Sequence, residues 1–249
     1  MAAILLLNLL VGACIGLTGI AGFLLPMFYT GFLGMAAGES LALSFSAFLI
    51  SGVLGSVTYY RQGNLKLRPA LILSAGSLPG ALAGVWVNLL IPEDVMQKIL
   101  YLVVLLSGIS ILLRRDRRAD APEKQVETAG GKAVLFFLLG AATGAVCAAS
   151  GAGGPVLVMP LLTLLGFPAH TAVGISLFNS IFIALPAAGG YLWSKAEDPG
   201  MFLVLIPALI AHGIGVAAGS RNAEKINPAM LKRIVAVASI AIAAVKLIL

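Results

Sequence analysis

The chain has 249 residues, of which 60% are hydrophobic and 10% charged, with a mean hydropathy of +1.04. A soluble domain carries about 25% charge, so this composition excludes an ordinary soluble enzyme and points to an all-α polytopic membrane protein. The net charge of +6 is concentrated in short loops, the pattern of membrane orientation and not of nucleic-acid binding.

Residues 1–38 contain no Asp, Glu, Lys or Arg. A broken first element is expected over about 3–33, interrupted at Gly16-Leu17-Thr18-Gly19-Ile20-Ala21-Gly22. Three plain spans should follow, over about 38–60, 69–91 and 95–113. They are separated by the basic loop Arg61 to Arg68 and by Glu93 and Asp94. Segment 114–131, with Arg114-Arg115-Asp116-Arg117-Arg118, Pro122 and Gly130-Gly131, is the one stretch of soluble character and reads as a central linker.

The second part begins with an uncharged run, 133–194. A bilayer core is roughly 30 Å thick and a spanning helix needs about 20 apolar residues, so this run holds at least two crossing elements. A second broken element is expected over about 133–165, interrupted at Ser150-Gly151-Ala152-Gly153-Gly154-Pro155. Spans over about 169–193, 199–219 and 228–248 complete the chain.

The two parts match. Gly34 to Ser44 aligns with Gly166 to Ser176, Tyr59 with Tyr191, Gly80-x-x-x-Gly84 with Gly215-x-x-x-Gly219, and Met96-x-Lys98 with Met230-x-Lys232. The order is preserved at offsets near 134. This implies an N-terminal transmembrane repeat over 1–113, a basic cytoplasmic linker over 114–131 and a C-terminal repeat over 132–249.

A broken element can cross the bilayer, giving parallel repeats, or turn back as a re-entrant hairpin, giving inverted ones. With the linker in the cytoplasm, inversion puts Arg61, Lys66, Arg68, Arg221, Lys225, Lys232 and Arg233 on the same side. The parallel arrangement puts the last four outside, against the positive-inside rule. Inverted repeats are therefore expected, each a broken or re-entrant helix plus three transmembrane helices.

The breaks are the first candidates for chemistry. Irregular backbone is tolerated in a membrane only where it lines a protein cavity. A second arm starting near Phe23 or Pro155 would present unpaired N–H groups and a positive dipole end to an anion. Thr18, Gly19, Gly22, Ser150, Gly151, Gly153 and Gly154 are the substrate-binding candidates there. Ser44, Ser176, Asn179 and Ser180, in the following spans, could donate hydrogen bonds to substrate oxygens. The alternative for such hydroxyls is a bond to their own helix backbone. Gly80, Gly84, Gly215 and Gly219 read as helix-packing positions.

His212 lies in the middle of a span and is the candidate for proton coupling, because an ionisable group in a membrane is costly. A neutral histidine bonded to a neighbouring helix is the alternative. His170, Tyr59, Tyr191 and Trp193 fall near span ends, where interfacial side chains are expected. Cys14 and Cys147 read as small packing residues. No metal, haem or nucleotide spacing is present, so no cofactor and no metal site is expected.

The motif Ser150-Gly151-Ala152-Gly153-Gly154-Pro155-Val156-Leu157-Val158-Met159-Pro160 with Ala172-Val173-Gly174-Ile175-Ser176-Leu177 resembles the sulfite exporter TauE/SafE family of bacterial permeases. Gly19-Ile20-Ala21-Gly22-Phe23-Leu24-Leu25-Pro26 and Leu41 to Ser44 carry the likeness in the first part, with Ala21 and Phe23 where more glycine is usual. The resemblance implies transport of sulfite, sulfonates or other small organic anions across the bacterial inner membrane, with a homo-oligomer left open. An intramembrane enzyme or an assembly subunit would be signalled by acid/base pairs or metal ligands, and neither occurs. An anion leaving a cell that is negative inside is already driven, at roughly 2.3 kcal/mol per charge per 100 mV. Export or potential-driven flux is therefore expected, with a proton- or sodium-coupled importer as the alternative.

Overall fold

The computed structural model describes residues 1–19, 21–113, 131–194 and 199–223, with isolated positions at 237, 240, 241 and 243–245. The expected linker and final span lie almost wholly outside the described residues. The ordered elements are α1 (Ala2–Thr18), a 3-10 turn (Ala21–Phe23), α2 (Leu24–Gly31), α3 (Ala37–Arg61), α4 (Leu67–Leu90), α5 (Glu93–Leu113), α6 (Gly131–Ser150), α7 (Gly154–Leu164), α8 (Ala169–Ser194) and α9 (Pro199–Arg221). No strand occurs among the described residues. Helices α3, α4, α6, α8 and α9 are long and apolar enough to cross a membrane.

Glycine packing sets the helix neighbours. Gly76, Gly80 and Gly84 on α4 meet the main chain of Phe137, Ala141 and Ala145 on α6, while Gly140 and Gly144 of α6 meet Leu73 and Ser77. Gly12 and Gly16 on α1 meet His212, Val216 and Ser220 on α9, whose Gly215 and Gly219 meet Leu9 and Ala13. Residue numbers rise together in both pairs, so α4 runs parallel to α6 and α1 parallel to α9. Without Cβ atoms the backbones approach closely, and that contact replaces the hydrophobic drive that lipid does not supply. Gly80, Gly84, Gly215 and Gly219 are thus packing positions. Ile206, Ile210 and Ile214 line the exposed side of α9, as a lipid-facing surface requires.

Helices α3 and α8 cross the other way. Gly52 meets Ser180 and Ile181, Gly55 meets Leu177, and Tyr59 meets Gly174. Phe45 stacks on Tyr191 with ring centroids 5.8 Å apart. One number rises as the other falls, so the two helices are antiparallel.

Each broken element doubles back. The α1 end is held near the C-terminal end of α3, where the Tyr59 hydroxyl donates to the Gly16 carbonyl at 3.3 Å. Gly22 lies against Phe48, halfway along α3, and α2 then leads to the start of α3. Likewise Tyr191, near the end of α8, donates to the Ala148 carbonyl of α6 at 2.8 Å. Gly154 meets Ser180 and Ile183 halfway along α8, and α7 leads back to the start of α8.

Two expectations need correction. Tyr59 and Tyr191 are fully buried and bond inward to helix carbonyls, because a buried phenol needs a partner and each finds one at a helix end. Trp193, 86% exposed, does face outward. The first break also starts later than the glycines suggest. Helix α1 continues through Gly16 to Thr18, and Gly16 serves the contact with α9.

Candidate functional site

Both first arms end in the same way. Gly19 (φ 71°) and Gly151 (φ 74°) adopt the left-handed conformation that glycine allows at little cost. Their N–H groups close the helices by donating to the Ile15 carbonyl at 2.7 Å and the Cys147 carbonyl at 2.9 Å. The hydroxyls just before them are bonded along the helix. Thr18 donates to the Cys14 carbonyl at 2.8 Å, and Ser150 to the Val146 carbonyl at 2.7 Å.

Beyond these caps the two breaks converge on one side chain. A Cβ on Gly22 would lie 3.1 Å from one edge of the Phe48 ring, and one on Gly153 3.3 Å from the other. Gly153 has φ 73° and precedes the first turn of α7, where Pro155 sits. Around Phe48 lies a cavity of about 10 Å³ lined by Ile15, Gly19, Gly22, Ser51, Gly153, Pro155 and Ser180. That is room for about one water.

Aliphatic side chains cover the two tips. A Cβ on Gly19 would lie 3.0 Å from Val173, and Gly151 abuts Leu41. A second cavity, also about 10 Å³, lies on the Leu41 side between Pro26, Thr30, Ser40, Leu100 and Ser150.

The structure therefore brings Gly19, Gly22 and Gly153 together in one cavity, with Gly154 behind it against Ser180. Ser150 belongs to the second cavity. Ser176 donates to the Ala172 carbonyl at 2.6 Å and Ser180 to the Leu177 carbonyl at 2.7 Å, so both hydroxyls are bonded within their own helix. Ser44 and Asn179 differ. Both are fully buried, and the Ser44 hydroxyl and both polar atoms of the Asn179 amide have no hydrogen-bond partner. An unpaired buried polar group costs about 1–3 kcal/mol. Neither residue lines the cavity, although Ser180, next to Asn179, does.

His212 is fully buried, and its Nε2 lies 2.5 Å from the Ser51 hydroxyl. Ser51 also reaches the Ala47 carbonyl at 3.1 Å. The Nδ1 atom has no hydrogen-bond partner. Asn8 donates to the Tyr29 hydroxyl at 2.6 Å and the Ile4 carbonyl at 2.8 Å. Ser51, Phe48 and Asn8 escaped the sequence reading. Asn8 carried a visible signal, a lone amide in an apolar run. Ser51 and Phe48 carried none, because their roles depend on which helices meet. Among the described residues no cluster of His, Cys, Asp or Glu could hold a metal, and Cys14 and Cys147 are free thiols.

Comparison with known proteins agrees with a membrane-spanning chain. No solved structure matches the chain. It is 25% identical over 245 residues to the probable membrane transporter protein YjnA of Bacillus subtilis strain 168, covering 94% of each chain. It is 24% identical over 235 residues to the probable membrane transporter protein YdhB of the same organism, covering 92% of this chain and 93% of the relative. The family described as Sulfite exporter TauE/SafE matches residues 4–246. That match spans both glycine breaks and all but Ala2 and Ala3 of the helices described above, and the chain belongs to the sulfite exporter TauE/SafE family.

Proposed function

We propose that this membrane transporter is a permease for small anions, of the class of sulfite, sulfonates and small carboxylates, bound near the midplane where its glycine-broken elements meet. The carrying observation is the approach of Gly22 and Gly153 to opposite edges of Phe48. Each half contributes a helix start at that level, and among the described residues no charged side chain lines the cavity. Backbone N–H groups at the breaks would bind the anion there, and the unpaired Asn179 and Ser44 side chains, which lie outside the cavity, would reach it only once the hairpins part. The cavity has room for about one water, less than sulfite needs, so loading requires the hairpins to part.

The antiparallel crossing of α3 and α8, together with both hairpins, supports inverted repeats over 1–113 and 132–249. On that reading the linker 114–131 and the loops at Arg61–Arg68 and Arg221 are cytoplasmic, in a bacterial inner membrane. Flux is export or potential-driven. A second reading, proton-coupled import, is favoured by the Ser51–His212 bond beside the cavity.

Proteoliposomes loaded with sulfite test the reading. Efflux should exceed that of protein-free vesicles and rise when the interior is made negative. Uptake that requires a pH gradient would select the second reading. No flux of sulfite, an alkyl sulfonate or a small carboxylate under any gradient would overturn both.

A further inference from the structure

Ser51 both lines the central cavity and bonds His212. Its hydroxyl has a single proton and two neighbouring acceptors, the Ala47 carbonyl and His212 Nε2. If Nε2 is bare, Ser51 can donate to it. If Nε2 carries a proton, the imidazole donates to Ser51, and the serine proton is released for the Ala47 carbonyl or for a group in the cavity.

We infer that Ser51 is a substrate contact and His212 its positioning group, so that an anion in the cavity and a proton on His212 favour each other. This rests on the proposed function, because it takes the cavity as the anion site. With the cavity empty, an imidazolium at this position would be a buried charge without a counter-ion, which is strongly unfavourable. An anion accepting from Ser51 supplies the counter-charge through one hydroxyl. The proton comes from solvent and goes to the imidazole. Nε2–H then donates to the Ser51 oxygen.

Among the described residues no other group competes for this role. The elements packed most closely on α9 are α1 and α3. Helix α1 contains no acid, base or histidine, and its one titratable side chain is Cys14. On α3 the charged groups are Glu39 and Arg61, at opposite ends, with Tyr59 and Tyr60 beside Arg61. Glu39 and Arg61 are 10 or more positions from Ser51, about 15 Å or more along a helix.

The test is calorimetric titration of the purified full chain with sulfite, in two buffers of different ionisation enthalpy, which gives the protons taken up per anion bound. Sulfite's own titration is removed by comparing wild type with His212→Gln. Wild type should take up more protons per sulfite than H212Q, and its affinity should strengthen toward low pH more steeply. Ser51→Ala should weaken binding about tenfold and lose the same extra proton, while Ser51→Thr, which keeps the hydroxyl, should restore both. If H212Q does not fold, S51A against S51T carries the test alone. Equal proton uptake in wild type and the variants, or S51A binding as wild type, overturns the inference and leaves the permease reading intact. Absence of binding by wild type of sulfite, an alkyl sulfonate and a small carboxylate at every pH overturns both.

Discussion

Tyr59 and Tyr191 make the same bond at the same separation. Each donates its hydroxyl to a carbonyl 43 residues earlier, near the end of a hairpin's first arm. Gly16 and Ala148, the acceptors, each lie three residues before the left-handed glycine that ends the arm. These carbonyls sit where helix bonding runs out, and the tyrosines supply donors that lipid cannot. Tyr191→Phe should destabilise the protein by about 1–3 kcal/mol. Tyr59→Phe should cost less, because its bond is longer. Thermal unfolding of both variants in detergent checks the order, and a more harmful Tyr59→Phe would show that the bond lengths are not the deciding factor.

The glycine seams predict opposite effects for one substitution. A Cβ at Gly80 would lie 2.8 Å from the carbonyl carbon of Ala141, whereas at Gly189 nothing lies within 4 Å. Gly80→Ala should destabilise by about 1–3 kcal/mol through overpacking. Gly189→Ala should be neutral or stabilise by roughly 0.5–1 kcal/mol, since alanine is the better helix former. Unfolding midpoints of the two variants give the comparison.

Asn179 should show a conflict between stability and binding. Leucine has nearly its shape and no polar atoms, so Asn179→Leu should leave the empty protein as stable as wild type or more so. Sulfite affinity should fall at the same time. A variant that loses stability would mean that the amide has partners in the native membrane.

At the second break, Gly153→Val places a β-branched residue at φ 73°, a conformation that such residues rarely adopt. Sulfite binding by the folded variant should weaken at least about tenfold, or 1.4 kcal/mol. Gly154→Val should act similarly, as a Cβ there would lie 3.0 Å from Ile183. Wild-type affinity in both folded variants would move the anion site away from the break.

Topology can be read by labelling single cysteines after Cys14 and Cys147 are replaced. Positions in 61–68 and 221–228 should react from one side, and positions in 92–95 and 195–198 from the other. Labelling of 61–68 and 195–198 from the same side would rule out inversion.

Much of the fold was legible because composition and glycine placement are local properties. The expected spans at 38–60, 69–91 and 169–193 lie within two residues of α3, α4 and α8. Both breaks were visible as glycine runs, and Gly153 with Pro155 marked the start of α7. The end of α1 was not, since Gly16 serves packing and Gly19 serves the turn, and spacing does not separate those uses. Nor does a sequence reveal which hydroxyls are already occupied. Ser176 and Ser44 align with each other, yet only Ser176 is bonded to its helix. The Ser51–His212 bond joins residues 161 positions apart and depends on α3 meeting α9, which no local pattern encodes.

The covers over the two hairpin tips bear on the direction of traffic. Val173 rests on Gly19 toward one end of the α3–α8 pair, and Leu41 on Gly151 toward the other. On the proposed permease reading, a solute approaching from either face would meet one aliphatic lid, then glycine backbone, then the Phe48 ring. A route so nearly palindromic would have no arrow of its own. The gradients a cell maintains would then set which way cargo moves, and reversing them should reverse the flux without altering a residue.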